Sequence, residues 1–92
     1  PVIVTESGLA TTDDARRIAY VQRALRGVHR CLADGIDVRG YFYWSCFDNF
    51  EWSRGYTPTF GLIAVDRSTQ ARHPKPSAYW LGEVARAGAV AL

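Results

Sequence analysis

The 92-residue chain has no methionine, only two cysteines and four prolines, and no apolar run near the ~20 residues that a membrane-spanning helix needs. Each shortage excludes something. Without a long apolar run there is no candidate helical span, and no basic segment followed by an apolar stretch reads as a signal peptide. A chain that opens on Pro1 and lacks methionine reads as a processed, truncated or partial one. Cys31 and Cys46 lie too far apart for a close-spaced motif and read as free, buried thiols of a cytoplasmic protein. His29 and His73 stand alone and neither cysteine has a partner at ligand spacing, so no metal site is expected. A net charge of +2 invites neither nucleic acid nor an anionic membrane.

What is present is apolar and aromatic. Hydrophobic residues make up 48% of the chain and aromatics 13%, which places it among globular pieces, and most of the aromatics fall between Tyr41 and Phe60. Val2-Ile3-Val4 is a short β-branched run of the kind found in strands covered on both faces. After Ser7-Gly8, Thr11-Thr12-Asp13-Asp14 offers helix caps and first-turn acids. Ile18, Val21, Leu25, Val28 and Leu32 then recur three and four apart, as one buried helix face. Arg16, Arg17, Gln22, Arg23, Arg26 and Arg30 are expected on the solvated remainder, with no chemical role. Gly35 falls where a left-handed helix stop belongs.

Val38 to Ser45 reads as a second strand because of its length and aromatic weight. A long loop follows from Phe47 to Thr59, and Phe60 to Asp66 reads as a further extended segment. His73-Pro74-Lys75-Pro76-Ser77 leads into a second helix with Trp80, Leu81, Val84 and Ala85 along one face. The order is β–α–β–loop–β–α, the first three elements forming a right-handed crossover between parallel neighbours. Taken alone this is a small α/β sandwich with exposed sheet edges. A closed eight-stranded barrel needs about 250 residues, so the chain supplies about a quarter of one.

Two carboxylates draw attention by their position. Glu6 ends the first apolar strand, where a fixed carboxylate facing a cleft can attack an anomeric carbon or stabilise a cationic transition state. A solvated glutamate at a strand end fits the same residues. Glu51 lies between Phe50 and Trp52. Carboxylates accept hydrogen bonds from paired hydroxyls while indoles cover the C–H face of a sugar ring, so this is carbohydrate-pocket chemistry. Aromatics packed on a core, with Glu51 and Asp48 capping amides, is the equal alternative. Trp44, as a lone tryptophan, reads first as core and second as a sugar platform.

Together these segments resemble a known family. Val4-Thr5-Glu6-Ser7-Gly8 is similar to the nucleophile signature of family 1 glycoside hydrolases, where Ser7 stands in place of the usual asparagine. Gly40 to Ser45, Asp48 to Trp52 and Gly55-Tyr56 resemble that family's sugar-binding segment. Phe60-Gly61-Leu62, Val65-Asp66, Thr69-Gln70, Arg72 and Pro74-Lys75 with Ser77 resemble its C-terminal stretch, Thr59 standing where a basic residue is frequent. The resemblance implies that residues 1–92 are the C-terminal segment of one TIM (β/α)₈ barrel domain, the seventh and eighth strands with their helices, incomplete on its own.

It further implies a retaining β-glucosidase-like enzyme without cofactor, acting on small-molecule or oligosaccharide β-glucosides. Glu6 would be the nucleophile, facing a sugar-sized hollow shared with Trp44 and Trp52. Glu51 would hold glycone hydroxyls, Trp44 would stack on the sugar, Trp52 would donate its indole N–H and Phe60 would border the pocket. The family's acid/base motif, Thr-x-Asn-Glu-Pro, is absent from these residues, so the remainder of the barrel must supply it and the segment alone is expected to be inactive. A non-catalytic sugar-binding or interaction fragment, and a 6-phospho-β-glycosidase, are the alternatives. The second is disfavoured because its members carry a Ser/Lys/Tyr set in place of Glu51-Trp52.

Overall fold

A computed structural model of the chain describes residues 1–91. Strand β1 (Val2–Ser7) leads to helix α1 (Asp14–Ala33) and returns as strand β2 (Val38–Tyr43). A single 3₁₀ turn, Trp52–Arg54, interrupts the following loop. Two three-residue strands, β3 (Ile63–Val65) and β4 (Arg72–Pro74), precede helix α2 (Pro76–Ala87). β1 and β2 pair in parallel, and β3 and β4 form an antiparallel hairpin. Among the described residues no helix is long and apolar enough to cross a membrane.

The signals read from sequence explain the helix ends. Asp13 is the N-cap of α1, its carboxylate accepting from the amides of Ala15 and Arg16. At the other end Gly35 takes φ +83°, its amide bonding to Leu32 and that of Ile36 to Cys31. This pair of bonds is the Schellman closure, which the left-handed conformation of Gly35 permits. Helix α2 starts with Pro76 at its first turn and ends at Gly88, again left-handed.

Several expectations need correction. β2 stops at Tyr43 rather than Ser45. The strand β4 was not expected; with three residues and a proline it carries little periodicity, and the turn before it is built by Asp66, which accepts from Ser68 and Thr69. Val2 and Ile3 are half exposed rather than covered on both faces, because α1 lies on one side of the sheet only. Leu32 and Ala85, assigned to buried faces, are exposed near the C-terminal ends of their helices. The thiols are not buried either: Cys31 is half-buried and Cys46 exposed. The largest departure is Arg17, expected in solvent and found 1% exposed.

Candidate active site

The strand ends place the candidates. Ser7 Oγ meets the hydroxyls of Tyr20 on α1 and Tyr41 on β2, at 3.2 and 3.1 Å. Tyr43 reaches Arg17 on the same side. These contacts mark the helix-facing side of the sheet. Side chains alternate along a strand, so Glu6, Phe42 and Trp44 belong to the opposite side. The β1–β2 register shifts between the Val4–Tyr41 and Ser7–Tyr43 pairs, so Thr5 and Glu6 together oppose Phe42. Two residues against one is the count of a β-bulge, a device that re-aims side chains and recurs beside active sites. Glu6 therefore sits in an irregular, exposed stretch at the C-terminal end of β1.

Gly8 brings the two strand ends together. A Cβ added there would lie 1.9 Å from the Trp44 carbonyl oxygen, so only glycine admits this approach. The Trp44 amide donates to the Ser7 carbonyl at 3.0 Å, which continues the strand pairing past Tyr43. Trp44 itself is 41% exposed, not the core residue that a lone tryptophan suggests, and its indole N–H donates to Glu51 at 3.3 Å.

Glu51, Trp52 and Phe60 line one hollow of about 350 Å³, together with Ala10, Arg54 and Pro58. That volume falls at the low end of the ~300–1,000 Å³ of small-molecule sites. Trp52 sits at φ +48°, a conformation that bulky residues seldom adopt and that clusters at ligand sites. Trp52 is 81% exposed. The structure thus brings three of the five candidates into one hollow and ties Trp44 to them through Glu51. It does not bring Glu6 into that hollow, contrary to expectation. The side of the sheet on which Glu6 lies is uncovered among the described residues.

The loop is held from behind by Asp48. Its carboxylate accepts from the Gly61 amide at 2.7 Å and from Lys75 Nζ at 3.0 Å, while Lys75 also donates to the Gly61 carbonyl. Gly61 is obligatory, since a Cβ would fall 2.2 Å from the Asp48 amide nitrogen.

A buried polar cluster lies beneath. Arg17 donates through Nε to the Tyr43 hydroxyl, through Nη1 to Asp14, and through Nη2 to the carbonyls of Thr11 and Thr59. Asp14 in turn accepts from the Ser77 amide and hydroxyl at 2.7 and 2.8 Å, capping α2 from another helix. Burial raises the Asp14 pKa, but the bonds from Ser77 and Arg17 outweigh it and hold the carboxyl below its ordinary 3.8. Burial pushes the Tyr43 phenol up despite Arg17, so it stays a donor, to the Phe60 carbonyl at 2.6 Å. The signal for Arg17 was present in sequence: it lies one turn before Val21, on the buried stripe, with Asp14 at i−3.

A parallel β–α–β unit with an acid at one strand's C-terminal end and an acidic, aromatic hollow beside the next fits a segment of a (β/α)₈ barrel enzyme. Comparison with known proteins gives the particular one. Residues 1–89 match the model of Glycosyl hydrolase family 1, and the chain belongs to that family. It is 44% identical to Beta-glucosidase 42 of Arabidopsis thaliana over 87% of this chain and 19% of that protein. It is also 44% identical to a 6-phospho-beta-galactosidase of Staphylococcus haemolyticus, over 91% of this chain and 20% of that protein. The solved beta-glycosidase BGL167 superposes with a TM-score of 0.94 at 66% identity, covering all of this chain and 22% of that one. The chain therefore spans about a fifth of the length of the curated relatives it matches. It is a piece of a family 1 TIM barrel.

Proposed function

We propose that this segment carries the nucleophile and part of the glycone subsite of a retaining β-glucosidase-like enzyme. Glu6 attacks the anomeric carbon and the glycosidic oxygen leaves, protonated by an acid/base group from the remainder of the barrel. Water then attacks the glycosyl–enzyme ester and releases both the sugar and the Glu6 carboxylate. In such enzymes the two carboxyl groups stand about 5–5.5 Å apart. Glu51 is not the second of the pair: it binds hydroxyls of the glycone, with Trp44 and Trp52 against the sugar and Phe60 at the border.

The observation that supports this reading best is the Glu51–Trp52–Phe60 hollow, with Glu51 tied back to Trp44 at the end of the strand beside β1. The exposed position of Glu6 is compatible with it, because the uncovered side of the sheet is the side the rest of the barrel would enclose. The segment alone, lacking the acid/base group, should have no hydrolase activity.

The second reading takes its support from the 6-phospho-beta-galactosidase relative. A phosphorylated glycone needs donors where the hydroxyl-binding carboxylate stands, and Glu51 would repel a phosphate. An unphosphorylated β-glucoside is the substrate class we favour. One experiment tests both readings. A complete barrel carrying this segment is incubated with an activated 2-deoxy-2-fluoro-β-glucoside, with or without a 6-phosphate. The expected result is a covalent mass gain on Glu6 from the unphosphorylated reagent, lost in Glu6→Gln. Labelling by the 6-phosphate alone would transfer support to the second reading, and no adduct with either reagent would leave only a non-catalytic module.

A further inference from the structure

Two walls of the Glu51 hollow come from distant parts of the chain. Ala10 belongs to the β1–α1 loop, whereas Pro58 and Phe60 belong to the segment ahead of β3. Nothing in either segment's own secondary structure fixes their separation. The buried cluster does. Arg17 Nη2 donates to the Thr11 carbonyl at 2.6 Å and to the Thr59 carbonyl at 2.5 Å, each next in sequence to a lining residue. The Thr11 amide donates to Thr59 O at 3.2 Å, and Thr59 Oγ1 donates to Thr11 O at 2.9 Å. Tyr43, which accepts from Arg17 Nε at 3.1 Å, donates to the Phe60 carbonyl.

We propose that Arg17 is a positioning residue that sets the width of the glycone hollow by holding its two walls on one guanidinium. The proposal rests on the glycosidase reading above. Arg17 reaches no ligand, being 1% exposed and ion-paired with Asp14. Its shape explains the choice of residue. A guanidinium offers five donors in a rigid plane and serves Tyr43, Asp14, Thr11 and Thr59 at once. An ammonium offers three donors from one point and cannot span the same acceptors. Thr59 also contributes through its own hydroxyl, which the basic residue frequent at this position in the family would not supply.

The test compares three variants in a complete barrel carrying this segment, assayed well below their unfolding temperatures. Arg17→Lys should raise KM for a β-glucoside, and Ki for a neutral glycone-mimicking inhibitor, by about 10-fold or more with a smaller change in kcat. Val21→Ala removes a side chain that is also 1% exposed and on the same helix, but outside the cluster. It should lower the unfolding temperature and leave KM and Ki at wild-type values. Thr59→Val deletes only the bond from the Thr59 hydroxyl to the Thr11 carbonyl and should weaken the same binding about 3-fold, which tests the idea even where Arg17→Lys does not fold. Wild-type KM and Ki in Arg17→Lys or, where that variant does not fold, in Thr59→Val would overturn the proposal, as would an equal shift in Val21→Ala. In either case labelling of Glu6 in the wild type would leave the glycosidase reading standing. A wild-type barrel that neither turns over nor labels would overturn that reading and the clamp with it.

Discussion

The two sides of the β1–β2 sheet are built from neighbouring residues and end in opposite states. On the helix side, Ser7, Tyr41 and Tyr43 are half-buried and every hydroxyl has a partner. On the other side, Ile3, Phe42 and Trp44 are 52%, 60% and 41% exposed, and Glu6 stands among them. Large apolar residues left in water over a contiguous face mark a surface made for a partner. One side of this sheet is covered by α1 within the described residues; the other is left uncovered by them. Polar groups close the finished side, and the candidate chemistry lies on the unfinished one.

The most damaging way to break that division is at the point where both sides meet. Gly8 lets the end of β1 pass against the Trp44 backbone, and the atom that crowds it is a carbonyl oxygen, not a movable side chain. Gly8→Ala must displace one strand end from the other. Overpacking against backbone costs about 3 kcal/mol or more. In a complete barrel the variant should unfold at a markedly lower temperature and lose Glu6 labelling together. Retained labelling at wild-type rate would show that the two strand ends are not coupled as described.

A smaller effect is expected on the finished side alone, through pH. Asp14 has a folded pKa below its ordinary 3.8, although burial opposes the shift, because the Ser77 hydroxyl, Arg17 and the Ser77 amide favour the carboxylate. Its stabilisation is thus fully present above the unfolded value and is lost as pH falls through the lower folded value. Unfolding temperature should decline on acidification below about pH 4. Asp14→Asn should be less stable at neutral pH and show a shallower decline. Asp66, lowered by the Ser68 hydroxyl and by the amides of Ser68 and Thr69, keeps part of the acid slope in the variant. Identical slopes in the two proteins would remove Asp14 from the account.

How legible this was in sequence follows the same division. Helix α1 was readable because its caps and apolar spacing are local signals, and so was the parallel β–α–β order. Arg17 was misread because an arginine among arginines on a helix looks solvated; only its register with Val21 and its Asp14 partner say otherwise. β4 was missed because three residues ending in proline carry no period. The motif residues Glu51, Trp52 and Phe60 could be named from the family resemblance, but their shared hollow depends on Gly61, Asp48 and Lys75, whose contacts are long-range. Glu6 shows the converse. Its motif is plain in the sequence, yet the side of the sheet on which it lies is uncovered among the described residues.

The smallest expected change sharpens the comparison most, because it concerns Phe42, the neighbour of Tyr43 that faces the other way. Tyr43 is tied to Arg17 and Phe60, whereas Phe42 is 60% exposed and the glutamate opposite it offers no apolar cover. Replacing a largely exposed side chain of this kind changes stability by about 0.5 kcal/mol or less. In the isolated chain Phe42→Thr should therefore leave the helical circular dichroism signal and its urea midpoint unchanged, because threonine, being β-branched, also favours a strand. What should change is association. An uncovered apolar sheet face drives self-pairing, so light scattering of the isolated segment should fall in the variant. In a complete barrel the same substitution should be costly, about 2–4 kcal/mol, if the rest of the chain closes over Phe42 as the proposed architecture requires. A substitution harmless in the segment and harmful in the barrel would identify this face as the one the missing strands enclose. Equal costs in both would mean that Phe42 already packs within the segment, and the contrast between the two sides would fail.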